Sequence, residues 1–401
     1  MIKDIHIRNF KAVKDSLGMP LQPFTAFIGN NGTGKSSILE AMQTLQLCIT
    51  EDLMSGFKRW GGLEKVHNYR SKLEEPDVSD SGFRKTTEGI YFHLACIIDK
   101  EHYEYNLQLN INQTGDFYVI EFESFHHNGL PVFEGKIINE GLIVYEVMQP
   151  NSAKPMTIKI NAPKTMLTFG VESIVNIEII PPIKKLYNYI SSWQFLHLNP
   201  LDMGEPVLRN RLEKNLHLDF SGRNIADYIL WLKNQSPESL DNLIEKLKFV
   251  IPYLQDLQPE IIESMSEEVR LIMHEDHPKG KGIPGWLLSS GTLRIAAILS
   301  MFDNPKPPSV LFIDEIENGL DPRTIGFLLE EIRNAVQQEN PMQVICTTHS
   351  PYLLDLIPLE SIIVTERGEN GSSFSIPSTN EALKDWREKF SPGKLYISGK
   401  L

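Results

Sequence analysis

The stretch Phe27–Ser37, FIGNNGTGKSS, decides the fold of this chain. It carries the pattern G-x-x-x-x-G-K-S as Gly29, Gly34, Lys35 and Ser36. In a loop of this kind the backbone N–H groups surround an anion, the lysine reaches the β- and γ-phosphates, and the serine hydroxyl holds Mg²⁺. The sequence therefore predicts a site for a nucleoside triphosphate and Mg²⁺.

The flanking residues have the periodicity that such a loop requires. The apolar run Phe24–Ile28 predicts a buried strand before the loop. After it, apolar residues spaced i, i+3, i+4, i+7 predict an amphipathic helix: Ile38, Ala41, Met42 and Leu45. That helix would direct the partial positive charge of its N-terminus at the phosphates. The alternative, a glycine-rich turn that carries a lysine by chance, is disfavoured by this strand–loop–helix setting.

The composition indicates an ordinary globular protein. The 401 residues are 41% hydrophobic and 23% charged, and a chain of this length is expected to form two lobes or a domain with an insertion. It has no apolar run of about 18 residues and no signal-peptide pattern at its start, so we expect a cytoplasmic protein with no membrane partner. Three widely spaced cysteines without metal-ligand spacing suit a reducing compartment.

The net charge of −13 argues against a surface that binds nucleic acid broadly, because such affinity rests on lysine and arginine neutralising phosphates. A local basic patch stays open at Lys58–Arg59 or Arg209–Arg211. A solvated charged face is the alternative interpretation of both.

The middle of the chain changes period twice. From about Thr87 to Lys159 apolar and polar residues alternate, as in HYEYNLQLNIN (residues 102–112), and turn signals such as Thr114–Asp116 separate the runs. This pattern predicts an antiparallel β-meander, inserted after the loop and its helix, with one face in water. Helical periodicity returns after it. Ser236 followed by Pro237 predicts one helix start.

The last third supplies residues that complete a nucleotide site. The apolar run from Ser309 ends in Asp314 and Glu315, which predicts a buried parallel strand with two carboxylates at its carboxyl end. Asp314 is then placed to hold Mg²⁺ through water, and Glu315 to orient or deprotonate the water that attacks the γ-phosphate. A helix N-cap is the alternative for this acid pair.

Three more elements belong to the same region. Ser289, Ser290 and Gly291 precede an apolar helical run, and a serine–glycine turn at a helix N-terminus is a second anion site. Asp321 follows the acidic strand in the sequence Gly-Leu-Asp-Pro, and His349 follows a further apolar strand that ends near Cys346. The histidine is thus expected at the same sheet edge as the two acids.

These motifs and their order resemble the ABC-type ATPase heads of the SMC, RecF and OLD group. The closest resemblance is to the compact ATPases of that group that are often encoded in bacterial antiphage defence loci. The motifs span residues 1–45 and about 285–355, and the start IHIRNFKAVKD and the run TTHSP fit as well. The resemblance implies an α/β fold, an ABC-ATPase head with a parallel core sheet next to the phosphate loop, the inserted meander and a helical lobe.

The resemblance also implies a role for each motif residue. The Walker A loop would contact the nucleotide through Asn30, Asn31, Gly32, Thr33, Gly34, Lys35, Ser36 and Ser37, of which Ser36 is also a metal ligand. Asp314 would be the Walker B metal ligand, and Glu315, His349 and Lys35 the catalytic residues. Ser289, Ser290 and Gly291 would form the signature loop that reaches the γ-phosphate of a second subunit, with Asp321 in the D-loop. Two copies would thus close around two ATP molecules as a homodimer or a higher homo-oligomer.

The implied organisation has four segments: residues 1–84 as the N-terminal part of the head, 85–165 as the antiparallel insertion, 166–284 as the helical lobe, and 285–401 as the C-terminal part. Two motifs depart from the family pattern. The signature LSSGT (Leu288–Thr292) replaces the transporter-like LSGGQ, and no Q-loop is identifiable. Gln194 is a candidate for that glutamine, and a glutamine at the edge of the core is the alternative.

Three functions follow from this set. The first is an ATPase whose ATP-dependent dimerisation gates a partner, either DNA or an effector nuclease or toxin, in DNA repair or antiphage defence. The second is a non-catalytic, ATP-bound scaffold that holds a toxic effector silent. The third, a transporter ATPase subunit, is disfavoured by LSSGT and the missing Q-loop. About 50 residues follow His349, too few for the nuclease domain that OLD relatives append, and long coiled-coil arms are absent.

Overall fold

The computed structural model describes residues 1–68, 88–111, 118–139, 142–148, 154–160, 164–173, 180–212, 215–262, 267–276, 282–338, 341–369, 371–383 and 389–401. Some sequence predictions lie outside these residues. They are the boundary between the segments 1–84 and 85–165, and the turn at Thr114–Asp116.

Among the described residues, strands predominate up to residue 160, and helices and strands are interspersed after it. The strands are β1 (Ile2–Phe10), β2 (Val13–Asp15), β3 (Met19–Pro20), β4 (Phe24–Ile28), β5 (Ile90–Ile98), β6 (Glu101–Ile111), β7 (Tyr118–His127), β8 (Leu130–Asn139), β9 (Leu142–Val147), β10 (Met156–Ile160), β11 (Gln194–Leu196), β12 (Val207–Leu208), β13 (Leu254–Ile262), β14 (Glu268–Glu275), β15 (Ile283–Pro284), β16 (Val310–Ile313), β17 (Gln343–Thr347), β18 (Ile362–Gly368) and β19 (Gly371–Ser375).

The helices include the two that begin at the predicted anion sites. They are α1 (Lys35–Thr50), α2 (Leu53–Lys58), α3 (Leu63–Val66), α4 (Met166–Ser173), α5 (Ile180–Ser191), α6 (Pro200–Met203), α7 (Ile225–Gln235), α8 (Pro237–Val250), α9 (Ser290–Phe302), α10 (Pro322–Val336), α11 (Pro351–Asp355) and α12 (Pro392–Ile397). The predicted start at Ser236 is confirmed, because its side chain accepts a hydrogen bond from the Ser239 N–H.

The described chain divides into two compact units. Unit 1 is formed by Met1–Trp193 and Glu360–Thr379, and unit 2 by Gln194–Leu359 and Asn380–Leu401. The phosphate loop lies in unit 1, whereas the signature residues, the acid pair and His349 lie in unit 2.

A nine-stranded antiparallel sheet dominates unit 1. Its described strands run in the order β10-β9-β8-β7-β6-β5-β1-β2, with β3 also paired to β1. The predicted meander is confirmed: the alternating side chains Tyr103, Tyr105, Leu107 and Leu109 are at most 1% exposed. The sheet is larger than predicted, because β1 pairs along β5 between Ile2 and Arg8. The meander therefore forms one sheet with the first strand of the chain.

A second, smaller set of strands in unit 1 carries the phosphate loop. Strand β4 pairs in parallel with β18, and β18 forms an antiparallel hairpin with β19. All of β4 except its first residue is buried, and α1 follows the loop with most of its apolar residues buried. The predicted strand–loop–helix is thus confirmed.

Unit 2 contains the parallel strands β11, β16 and β17, paired in that order. Phe195 and Phe312 lie opposite each other in the register, and their rings stack with centroids 4.3 Å apart. Because parallel strands end at a common edge, the residues that follow β11, β16 and β17 lie together. An antiparallel sheet, β12-β14-β13 with β15 on β14, packs against α7 and α8. The segment predicted as a helical lobe therefore also contains strands.

None of the helices that the structure describes combines the length and apolar character needed to cross a membrane.

Candidate functional site

The phosphate loop is shaped by three glycines with positive φ. Gly29, Gly32 and Gly34 have φ of 147°, 74° and 106°, in the region that residues with a Cβ atom rarely adopt. The hairpin of β18 and β19 packs on the loop from one side. A Cβ atom on Gly29 would lie 2.1 Å from the Thr365 carbonyl oxygen, and one on Gly34 would lie 2.6 Å from the Ser372 Oγ. Glycine is required here by backbone conformation and by packing.

The side chain of Lys35 lies within the loop rather than in solvent. It is 6% exposed, and its Nζ donates to the carbonyl oxygens of Gly29 and Asn30, each at 2.9 Å. Gly34, at the N-cap position of α1, provides no side-chain cap, and the first turn of α1 has no acidic residue. A lysine ammonium and an uncapped helix N-terminus together fit a bound phosphate.

The remaining predicted loop residues differ in exposure. Asn30, Asn31 and Gly32 are exposed at the rim of the loop, Ser36 is half-buried, and Thr33 and Ser37 are buried. Thr33 Oγ1 donates to the Asn30 carbonyl at 2.9 Å, which closes the loop as a turn. Arg367 of the neighbouring hairpin donates to the Gly32 carbonyl at 3.1 Å. The loop conformation is therefore held by its own side chains and by β18.

The acid pair lies directly after β16, as the sequence predicts. Asp314 accepts hydrogen bonds on both carboxylate oxygens: Thr347 Oγ1 lies 2.5 Å from Oδ1, and His197 Nδ1 lies 2.9 Å from Oδ2. The N–H of Glu315 donates to the same Thr347 hydroxyl at 2.8 Å. Thr347, at the end of β17, thus fixes both acids from the neighbouring strand.

Glu315 has an unusual backbone. Its φ is +51°, a left-handed conformation that costs a residue other than glycine roughly 1–2 kcal/mol. Its carbonyl oxygen accepts a hydrogen bond from Arg294 Nη2 at 2.8 Å, and its Oε2 accepts one from Asn318 Nδ2 at 3.2 Å. Strained backbone held from both sides is typical of functional positions.

His197 is a site residue that the sequence analysis missed. It follows β11, its N–H donates to the Phe220 carbonyl at 2.8 Å, and its ring stacks on the Phe220 ring. The hydrogen bond to Asp314 raises the pKa of the His197 imidazole, although partial burial opposes this. The strand before it is three residues long and fully buried, so it shows no alternation. The sequence signal that could have marked a strand end here is the Asn199–Pro200 pair, which is typical of a turn.

The proposed Q-loop residue Gln194 is buried in β11. Its Nε2 donates to the carbonyl oxygens of Leu218 at 2.8 Å and of Phe195 at 3.2 Å. Both of these partners are backbone atoms of unit 2. These contacts are those of a glutamine in the core.

The signature residues lie at the start of α9. Ser289 is its N-cap: Oγ accepts from the Thr292 N–H at 3.0 Å. Ser290 is exposed, and Gly291 packs so closely on the loop after Glu315 that a Cβ atom would lie 2.5 Å from the Gly319 carbonyl oxygen. The structure therefore brings the signature loop and the acidic loop into contact within unit 2.

Asp321 is the N-cap of α10. Its Oδ1 accepts from the N–H groups of Arg323 and Thr324, and its Oδ2 accepts from Thr324 Oγ1 at 2.6 Å. These hydrogen bonds, the one from the Thr324 hydroxyl above all, lower the pKa of the Asp321 carboxyl. The aspartate is exposed, so it caps the helix and faces solvent at once.

His349 follows β17, at the sheet edge where the sequence places it. Its N–H donates to Glu317 Oε1 at 2.5 Å, and Glu317 belongs to the loop after the acid pair. Asp314, Glu315 and His349 are thus connected through Thr347 and Glu317. Over the described ranges, no group of three or more histidine, cysteine, aspartate or glutamate side chains is arranged to hold a metal ion.

Comparison with known proteins found a family that matches part of the chain and a distant relative that matches most of it. Residues 193–355 match the family described as "AAA domain, putative AbiEii toxin, Type IV TA system". This match covers the strands β11, β16 and β17, the signature residues and the acid pair. A protein of Helicobacter pylori named ATP/GTP phosphatase is 22% identical over 374 residues, which are 89% of this chain and 87% of that protein.

A solved structure shares the fold. An SMC head bound to the C-winged helix domain of ScpA superposes with a TM-score of 0.57 at 14% identity, covering 93% of this chain and 97% of that one. The SMC head domain of Thermotoga maritima matches at a TM-score of 0.43 and 15% identity, over 94% and 98% of the two chains. The fold that the motifs indicate is confirmed: this chain has the fold of an SMC head, and its residues 193–355 match the AAA domain family.

Proposed function

We propose that the protein hydrolyses ATP and that ATP-dependent pairing of two copies gates a partner. The observation that carries this proposal is Glu315, a carboxylate next to Asp314 whose backbone is fixed by Thr347 on one side and Arg294 on the other. A carboxylate held in this way at the end of a strand is suited to orienting a water molecule. A site that bound ATP without hydrolysing it would not need a carboxylate at this position.

In this proposal unit 1 binds the triphosphate. The ammonium of Lys35 exchanges its two loop carbonyls for β- and γ-phosphate oxygens, and the N–H groups from Asn31 to Ser37 surround the anion. Ser36 would offer Mg²⁺ its hydroxyl and Asp314 its carboxylate, and hard oxygen atoms of this type are what Mg²⁺ prefers. When bound, Mg²⁺ supplies charge neutralisation at the phosphates. Thr347 and His197 hold the Asp314 side chain in place.

Hydrolysis then uses two side chains of unit 2. Glu315 accepts a proton from water, the water oxygen forms a bond to the γ-phosphorus, and the bond to the ADP oxygen breaks. His349 donates a hydrogen bond to the γ-phosphate and is oriented by the contact of its backbone with Glu317. The products are ADP and inorganic phosphate.

A second copy would complete the site through its signature loop. Ser289 and Ser290 are exposed at the N-terminus of α9, where helix N–H groups attract an anion. If they contact the γ-phosphate held by the other copy, the contact exists before hydrolysis and is lost after it. ATP would then close the pair, and hydrolysis would open it. Asp321, exposed beside this loop, would contact the other copy in the closed state.

The partner that such a switch would control is an effector nuclease, a toxin or DNA. The description of the matching family names a toxin and a type IV toxin–antitoxin system, which supports a protein effector in defence. The net charge of −13 disfavours extensive binding of DNA by this chain alone.

The test compares wild type, Glu315→Gln and Glu245→Gln. Glu245 is an exposed glutamate on α8 that pairs with Lys248, so its variant controls for loss of a surface charge. We expect Glu315→Gln to bind ATP with unchanged affinity in calorimetry and to release phosphate at least ~100-fold more slowly, because the general base is gone. Wild-type turnover in Glu315→Gln would contradict the role of Glu315. ATP binding without measurable turnover in the wild type would favour the scaffold.

A further inference from the structure

Arg294 occupies a position that packing alone does not explain. It lies in the second turn of α9 and is 3% exposed, among the fully buried apolar residues of that helix. Burial lowers the pKa of its guanidinium, and Glu315, Glu317 and Asp314 oppose this decrease. A buried cation is generally no more stabilising than an apolar side chain of similar volume, because its desolvation is costly. A cation at this position therefore points to a role other than stability.

The hydrogen bonds of Arg294 show what this role involves. Nη2 donates to the Glu315 carbonyl at 2.8 Å, and Nη1 donates to the Leu198 carbonyl at 2.6 Å. Leu198 comes one residue after His197, whose ring contacts Asp314. One planar guanidinium thus joins the segments that follow β11 and β16, both of which carry a side chain of the acid site. A lysine has one nitrogen and cannot reproduce this fork.

The bond to Glu315 acts on a strained residue. With φ at +51°, the Glu315 backbone is held in place by Thr347 at its N–H and Arg294 at its carbonyl. If the hydrogen bond from Arg294 is lost, the carbonyl is free to rotate toward ordinary φ and ψ values. That rotation changes the direction of the Cα–Cβ bond and moves the carboxylate away from the water that it must orient.

The third contact joins Arg294 to the signature loop. Arg294 lies on the helix that begins at Ser290, and its Cδ is 3.7 Å from the position of a Cβ atom on Gly319, the residue on which Gly291 packs. A displacement of α9 would therefore move the guanidinium relative to Glu315. We propose that Arg294 is a positioning residue that sets the backbone of Glu315 and couples it to the signature helix. This inference rests on the proposed ATPase function.

The experiment uses the full chain with Arg294→Lys, Arg294→Met and the control Arg333→Met. Arg333 is an exposed arginine on α10 that also donates to a backbone carbonyl, that of Leu356. The number of ATP molecules bound per chain is measured by calorimetry, and kcat is divided by this number to correct for misfolded protein. We expect kcat per bound ATP to fall about 10- to 100-fold in both Arg294 variants, with KM within about threefold and Arg333→Met like wild type.

A second readout separates positioning from general damage. In a Glu315→Gln background, Arg294→Lys should add less than about a twofold further loss in single-turnover hydrolysis, because the group that it positions is already absent. Independent, multiplicative losses in the double variant would overturn the proposal. So would wild-type kcat per bound ATP in Arg294→Lys, or a loss confined to ATP stoichiometry. Wild-type turnover in Glu315→Gln alone would instead overturn the proposed function, so the two failures are distinguishable.

Discussion

At the scale of single residues, the phosphate loop contains glycines at positions that have no room for a Cβ atom. Gly34 combines a φ of 106° with a neighbour, the Ser372 Oγ, 2.6 Å from where a Cβ atom would lie. Ser372 donates to the Thr33 carbonyl, and this hydrogen bond holds the loop against the hairpin. The second glycine of the motif G-x-x-x-x-G-K-S is therefore required by local packing as well as by phosphate binding.

The first prediction isolates that packing contact by comparing Gly34→Ala with Gly129→Ala. Gly129 has a φ of 77° in the β7–β8 turn, and a Cβ atom there would have no neighbour within 4 Å. Both variants incur the penalty of a left-handed alanine, about 1–2 kcal/mol. Gly34→Ala must also displace Ser372, which we expect to add about 1–3 kcal/mol. Urea unfolding measures the difference, and equal destabilisation of the two variants would refute the contact.

Sequence analysis predicted site residues that belong to short-range motifs, and it did not predict residues whose position depends on tertiary contacts. Lys35, Asp314 and Glu315 stand in recognisable strings next to apolar runs. Arg294 and His197 do not, because their contacts are made with segments about 20 to 120 residues away. In an apolar helix a single arginine resembles a surface position until its burial is known. Although no Q-loop glutamine was identifiable, nothing in the sequence indicated that a histidine contacts Asp314 instead.

At the scale of elements, Glu123 on β7 connects the large sheet to α4. This fully buried carboxylate accepts hydrogen bonds from the hydroxyls of Tyr105 at 2.9 Å and Tyr145 at 2.5 Å, and from the Met166 N–H at the start of α4. Thr168 of α4 in turn donates to the carbonyl of Ile49 near the end of α1. The helix that follows the phosphate loop is thus linked by hydrogen bonds to the centre of the sheet.

The second prediction concerns the pH dependence of this link. Burial raises the pKa of Glu123 to about 7 from 4.5, although its hydrogen bonds oppose the increase. The folded state then holds a proton that the unfolded state releases, so the free energy of unfolding falls as the pH rises from about 4.5 to about 7. The loss from this group is on the order of 3 kcal/mol. Above about pH 7 this loss of stability is complete.

Glu123→Gln should remove that slope, because an amide does not titrate. Its absolute stability is not the readout, since the amide NH₂ meets donors from Tyr105, Tyr145 and Met166 and lowers stability at every pH. The measurement is the free energy of unfolding in urea at pH 5, 6, 7 and 8, for the variant and for Glu134→Gln, a partly exposed glutamate on β8. A slope unchanged from wild type in Glu123→Gln would contradict the assignment.

Secondary structure set by neighbouring residues was predicted, whereas strand pairing between distant residues was not. The start of α8 at Ser236–Pro237 and the alternation of β6 are set by neighbouring residues, and both were predicted. The pairing of β1 with β5 joins residues about 90 positions apart. A half-buried strand with alternating Ile5 and Ile7 fits more than one sheet, so its partner could not be read from the sequence.

At the scale of the whole molecule, the proposed function assigns different steps to different motifs of the chain. In the proposed function, Lys35 and its loop bind the triphosphate, and Asp314 and Glu315 carry out the chemistry. The exposed serines at the start of α9 contact the nucleotide that another copy binds. ATP binding should therefore change the number of chains per particle, and blocking hydrolysis should preserve that change.

The measurement that tests this most directly is the mass of Glu315→Gln in solution, by light scattering with and without ATP and Mg²⁺. Without nucleotide we expect the mass of one chain, 45.7 kDa, and with ATP twice that value. The double variant Lys35→Ala, Glu315→Gln is the control, and it should keep the single-chain mass because it cannot hold the phosphates. ADP should give the single-chain mass as well. A mass for Glu315→Gln that does not depend on ATP, while calorimetry shows that ATP is bound, would contradict the account.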